Sequence, residues 1–201
     1  MTRKYEFTGE KKIVLGTTLR RIRATISIRG EVSVGDDGGW IEGEKNLDHN
    51  GDAWVSDNAR VYGDARVRDN AKVYGDAKVY DNAQVRDNAK VYGYAKVYSN
   101  ATVCGNAQVC GYARVRDNAR VSGNAQVYGD AVVYGYAWVR DNAMTEGARG
   151  NDCVPGKGSR PHARARALAL EMALELRGPM DGHREVLSYA SEVLAWLEGG
   201  S

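Results

Sequence analysis

One phenylalanine, three histidines and three cysteines are spread over 201 residues, and each scarcity removes a class of protein. With Phe7 alone, and an apolar fraction of 43% carried mostly by Ala and Val, the chain cannot fill a wide globular core. It can fill a narrow one repeated along an axis. Cys104, Cys110 and Cys153 are odd in number and irregularly spaced, which argues against a disulfide framework and for reduced thiols. No run of 18 apolar residues exists, so no transmembrane helix is expected. The start MTRKYEFTGEKK has no apolar core of a secretory signal, and a cytoplasmic setting follows as the expectation. Charge of one sign is also missing. The 28 basic and 26 acidic residues leave +2, too balanced to announce nucleic acid and without the strong negative field of a DNA mimic.

What is present is a repeat. Fifteen hexapeptides run from Asp52 to Asp141 without insertion or slip, each reading Asn/Asp/Tyr-Ala-x-Val-x-Gly/Asp, with Ser99 the one exception in the last slot. Ala fills the second slot every time, from Ala53 to Ala137, and Val the fourth, from Val55 to Val139. A fixed period of this kind decides the architecture before residue propensities do. Alternate residues of a strand share a face, so the Val and Ala slots turn inward if the chain bends once per hexad. Three hexads close a triangular coil of 18 residues, and coils stack at about 4.8 Å, the strand spacing. The Gly-Asn, Gly-Asp and Asp-Asn pairs fall at the corners, where positive φ and tight turns are tolerated. The fold class expected is mainly β: a left-handed parallel β-helix with a small N-terminal β cap and a C-terminal α-helical hairpin.

Four segments follow. Residues 1–39 form the β cap, in which the alternation from Arg21 to Arg29 predicts a half-buried strand with Arg21, Arg23 and Arg29 outward. Residues 40–143 form the β-helix. Its two degenerate leading hexads, Trp40–Lys45 and Asn46–Gly51, put Ile41 and Leu47 in the Ala slot. Residues 144–162, with Gly147, Gly150, Pro155, Gly156, Gly158 and Pro161, read as a linker. Residues 163–198 read as a helical hairpin broken by Gly178-Pro179. Its apolar faces carry Leu170 and Leu174 on the first helix and Val186, Leu187, Val193 and Leu194 on the second. Two short helices cannot bury these faces alone, so they are expected to pack on the solenoid, on each other or on a sister chain.

The hexads resemble the hexapeptide-repeat left-handed β-helix family, in which an aliphatic residue is followed four positions later by a small one. The stretch Gly38-Gly39-Trp40-Ile41, Asn46-Leu47 and Gly51-Asp52-Ala53-Trp54-Val55 resembles the start of YdcK-type β-solenoid proteins of bacteria and prophages. The resemblance covers about residues 4–143. It implies a solenoid fold with no established reaction, side-by-side trimers and plausible phage origin. Many relatives in the wider fold resemble one another in being acyltransferases that use a histidine at a coil edge. Here the repeat holds no histidine and no loop, and His49, beside Asp48, is the one histidine worth testing as a general base. His162 and His183 lie outside the repeat. Zinc chemistry of the carbonic-anhydrase kind would need three histidines on neighbouring faces, and ice binding would need ranks of threonine where only Thr102 stands. No phosphate loop, dinucleotide fingerprint or nucleophile elbow is present. No metal, cofactor or catalytic residue is assigned.

Any function must then lie outward. Folded at 18 residues, the first face stacks Arg60, Lys78, Lys96 and Arg114 beside Tyr62, Tyr80, Tyr98, Arg116 and Tyr134. The second stacks Lys72 and Lys90 beside Tyr74, Tyr92 and Tyr128. The third carries Arg66, Arg68, Arg86, Arg120 and Arg140. Ten of the twelve tyrosines lie in the repeat. Three readings of these columns stand open: side-chain ladders that only stabilise the sheets, a protein-binding or self-association surface rich in Tyr and Arg, and a nucleic-acid surface. The expectation is a rigid non-enzymatic binding or structural solenoid. Its alternatives are a phage counter-defence inhibitor of a host protein or its nucleic-acid site, and an acyltransferase with its site between subunits.

Overall fold

The computed structural model describes residues 3–146 and 149–150. It is a parallel β-solenoid of about six turns, entered through an antiparallel hairpin. Strand β1 (Tyr5–Val14) turns through Leu15 and Gly16, both at positive φ, into β2 (Thr17–Ala24). Strand β2 pairs antiparallel with β3 (Asp37–Ile41), and β3 pairs parallel with the first complete coil. Strands β4 to β18 follow, one per hexad, from Trp54–Val55 to Trp138–Val139. Every third strand stacks, which gives three sheets, and β1 and β2 extend the first of them to nine strands.

The geometry follows from the hexad slot by slot. All fifteen Val and all fifteen Ala side chains of the repeat are buried. Register repeats at 18 residues, as in Lys78↔Lys96↔Arg114, so Val stacks on Val and Ala on Ala. The sixth slot is left-handed in all fifteen hexads, whether glycine (φ 61 to 69°) or Asp57, Asp69, Asp81, Asp87, Ser99, Asp117 and Asp141 (φ 56 to 61°). Glycine takes this conformation freely, and a short polar side chain can hold it by hydrogen bonding locally. The aspartates do so across coils: Asp87 accepts from the Gly105 amide at 2.9 Å, and Asp117 from the Gly135 amide at 3.0 Å. The first slot adds asparagine ladders, Asn70–Asn88–Asn106–Asn124–Asn142 on one corner, with amide contacts of 3.0–3.2 Å.

Three expectations are corrected. The strand foreseen over Arg21–Arg29 ends at Ala24, because the chain reverses through Arg29 and Gly30, both at positive φ, and Ile28 bridges back to Val32. The alternation still marks burial at Ile22, Ala24 and Ile28. Its three arginines are no free strip, since Arg21, Arg23 and Arg29 pair with Glu10, Asp37 and Asp52. Second, Ile41 pairs with Val61 and Leu47 with Val67, so both occupy the Val slot, not the Ala slot. The first coil is 20 residues long where Trp54↔Lys72 and later coils keep 18, and the two extra residues lie between Leu47 and Val55. Gly39 takes the Ala slot instead; a Cβ there would stand 2.8 Å from Val55 Cγ1 and 2.9 Å from the Ala59 carbonyl oxygen. Third, the sheets run on into the stretch read as linker, with β19 (Met144–Glu146) and β20 (Arg149–Gly150) paired parallel to the coil beneath. The helical hairpin, with Leu170, Leu174, Val186, Leu187, Val193 and Leu194, lies outside the described residues. Among the described residues no helix is long and apolar enough to cross a membrane.

Candidate recognition face

The inward Ala and Val slots force the residues between and after them outward, so the third and fifth slots of every third hexad form two parallel columns. On the first face Arg60, Lys78, Lys96 and Arg114 stand in register on neighbouring strands. Like charges placed directly opposite one another across strands repel. Burial, then the charges of Arg60 and Lys96, hold the Lys78 ammonium below its ordinary pKa. Among the described residues none of these four cations has a carboxylate within 4.0 Å. Elsewhere in the repeat Arg86, Arg116, Arg140 and Lys72 pair with Asp87, Asp117, Asp141 and Glu31, while Arg66, Arg68, Lys90 and Arg120 have no such pair among the described residues. Nor do the other faces build such a column. Gln108 follows Lys90 on the second, and Gln84 and Thr102 separate Arg66 from Arg120 on the third.

Two tyrosine stacks wall the cation column. In the fifth slot Tyr62–Tyr80 and Tyr80–Tyr98 stack with centroids 5.1 and 4.9 Å apart and planes within 5°. At the corner on the other side Tyr94 and Tyr112 stack at 5.0 Å, more than half exposed. A groove of about 290 Å³ on the corner side is lined by the four cations with Asp76, Tyr94 and Tyr112. Burial first, then the neighbouring Tyr98 and Tyr62, push the Tyr80 hydroxyl up to about 12, so it stays a proton donor at neutral pH. Below the groove the hairpin extends the positive field. Lys12 lies 3.9 Å over the Trp40 ring, and burial with Arg60 and Arg21 lowers its pKa to about 8.

The nine residues expected on this surface do share the first sheet, but they divide. Arg60, Lys78, Lys96 and Arg114 line the groove, and Tyr62, Tyr80 and Tyr98 flank the cation column on its other side. Arg116 is paired with Asp117 and lies 4.9 Å from the Tyr134 ring centre, so it continues the tyrosine column as a neutralised cation. Column arithmetic on slots three and five passed over Tyr94, Tyr112 and Asp76. The same 18-residue spacing applied to the first slot would have found them.

A second hollow, about 540 Å³, lies between the 28–37 loop and the second face, over Trp54 and Tyr74. Ion pairs Arg29–Asp52 and Glu31–Lys72 hold the loop against the coils.

His49 belongs to the solenoid's N-terminal end. Its Nδ1 accepts the Lys4 backbone N–H at 3.2 Å, and its ring stacks on Tyr5 at 4.4 Å. Its Nε2 is buried without a hydrogen-bond partner among the described residues. The Tyr5 hydroxyl donates to the Leu47 carbonyl at 3.1 Å, so this cluster plugs the open end of the prism. Cys104 and Cys110 stand on different sheets, on the third and second faces. Among the described residues no three metal-ligating side chains converge.

The fold and its columns define a parallel β-solenoid built from stacked hexads. The YdcK beta solenoid repeat family matches residues 53–69 and 125–141, one stretch near each end of the repeat. These two matches and the parallel coils together support a YdcK-type β-solenoid repeat. No curated protein matches the chain.

Proposed function

We propose that this chain is a rigid, non-enzymatic binding module whose recognition surface is the first face, and that its partner is a protein. The observation that carries the reading is the in-register column of four cations that have no carboxylate partner among the described residues, flanked by two tyrosine stacks. A column whose members repel one another costs stability, and on the other two faces a neutral residue limits each run of third-slot cations to two at most, Gln108 after Lys72 and Lys90 and Gln84 after Arg66. Tyrosine and arginine are also the side chains that dominate protein interfaces. The lone pair of His49 Nδ1 already accepts a backbone hydrogen bond, which supports a structural role for it over general-base work.

The finer parts of the reading rest on resemblance and sequence. Left-handed coils, a cytoplasmic setting and a prophage source are what the family resemblance and composition imply. A host defence protein is the partner if the chain is a counter-defence inhibitor. A homotrimer is expected as well; packing through the first face would bring cation columns together, so the trimer would use another face. Sedimentation tests the assembly, and a stable species near the chain mass of 21.9 kDa at micromolar concentration would exclude it.

The recognition reading is tested by affinity capture from bacterial extract. The baits are the wild-type chain, Lys78→Gln/Lys96→Gln/Tyr98→Ala, and a third-face control, Arg68→Gln/Arg120→Gln. Proteins retained by wild type and control should be lost by the first-face variant. Equal retention by all three sinks the reading.

A further inference from the structure

Resting on the first-face reading, we infer that the groove takes an extended acidic polypeptide segment, lying along the solenoid axis with its carboxylates on Arg60, Lys78, Lys96 and Arg114.

The tyrosines decide between the polyanions that such a column could attract. A flat base binds an aromatic protein surface by covering a ring face. Here Tyr80 has Tyr62 on one side and Tyr98 on the other at 5.1 and 4.9 Å, and Tyr94 and Tyr112 each cover one face of the other at 5.0 Å while remaining more than half exposed. A base inserted between two rings needs roughly twice the aromatic thickness of about 3.4 Å, more than these gaps allow. Between stacked rings only edges and hydroxyls are left to a ligand. Hydroxyl donors beside ammonium and guanidinium donors suit a ligand made of acceptors without large planes.

Spacing and charge agree with carboxylates on a strand. Four cations at about 4.8 Å span about 14 Å along the axis. In an extended chain same-side residues repeat at roughly 6.6 Å, so side chains at i, i+2 and i+4 span about 13 Å. Three alternating carboxylates therefore match the length of the column, and the long flexible lysine and arginine arms take up the remainder. Asp76 at the groove edge repels an acidic ligand there and confines it to the cation line. The cation column ends where Val132 stands in register with Arg114, which fixes the length of segment recognised. Charge pairing at an exposed groove yields modest, salt-sensitive affinity and fast association.

The test is fluorescence anisotropy of a labelled peptide of alternating Glu and Ser, titrated with the full chain at low salt. The matching Gln–Ser peptide and a labelled oligothymidylate are run beside it. The acidic peptide should bind, lose affinity as salt rises, and bind about tenfold more weakly to Lys78→Gln/Lys96→Gln. Arg68→Gln/Arg120→Gln should bind as wild type, and the neutral peptide should not bind. Circular dichroism confirms that both variants keep the solenoid. No binding of the acidic peptide, equal loss in both variants, or tighter binding of the oligothymidylate each overturns the proposal. If the acidic peptide fails while the first-face variant still loses captured partners, the surface is right and the ligand class wrong. If both fail, the first-face reading falls with it.

Discussion

Asp87 is the position where the physics of the corner can be taken apart. Its φ of 60° is strained for a residue with a Cβ, by about 1 kcal/mol for alanine and less for asparagine or aspartate. Its Oδ2 accepts the Gly105 amide of the next coil at 2.9 Å, and its own amide donates to Asp69 Oδ2 at 3.1 Å. A half-exposed carboxylate bond of this kind contributes about 1 kcal/mol. Asp87→Ala keeps the strain without the bond and should cost about 2 kcal/mol. Asp87→Gly loses the bond but relaxes the strain, and should cost about 0.5–1 kcal/mol. Asp87→Asn keeps an acceptor and tolerates the conformation, and should cost about 0.5 kcal/mol or less. The assay is thermal melting followed by circular dichroism, where each kcal/mol moves the midpoint by about 2–4 °C in a domain of this size. Equal midpoints for the alanine and glycine variants would refute the claim that positive φ is enforced at the sixth slot. An asparagine variant as unstable as alanine would refute the cross-coil bond.

Three further outcomes are expected. Val97→Asp buries an unpaired carboxylate between Val79 and Val115 in a fully buried column, a cost of several kcal/mol against a total stability of about 5–15; retained cooperative melting would contradict the inward assignment. Lys78→Gln/Lys96→Gln removes the repulsion at the centre of the first face, so its midpoint should equal or exceed wild type at low salt and respond less to added salt; a clear loss of stability would show that the column is a supporting ladder. Lys4 is buried with its Nζ donating to the Gly51 carbonyl oxygen. Burial lowers its pKa from 10.5 to about 8, against the raising effect of Asp48 and Asp52. Between those values the unfolded chain holds more protons than the folded one, so stability contributed here rises with pH from about 8 to 10.5 and is flat below. Lys12 acts with the same sign, so the comparison is wild type against Lys4→Met by urea unfolding across that window, and equal slopes would reject the role of Lys4.

The columns of the first face were legible in the sequence because the hexads never slip. An 18-residue register puts Arg60, Lys78, Lys96 and Arg114 in one line without coordinates. The frame of Ile41 and Leu47 was not legible, since two additional residues before Val55 shift the first coil and no repeat flags them. The end of β2 at Ala24 was hidden for a related reason. Alternation persists through Ile28, while the reversal that breaks the strand is local to Arg29 and Gly30.

By itself the sequence determined the solenoid. Ala and Val at alternate positions, with a left-handed-tolerant residue every sixth, leave the chain one economical way to bury its apolar atoms. Neutralisation was decided only in three dimensions. Whether a cation meets a carboxylate depends on rotamers and on neighbours 18 or more residues away, so Lys72 finds Glu31 while Lys78 finds only cations above and below it. The same holds for the tyrosines. Their outward slots are written in the hexad, but the closeness of their stacking, which covers the faces between neighbouring rings, is a property of the coil spacing.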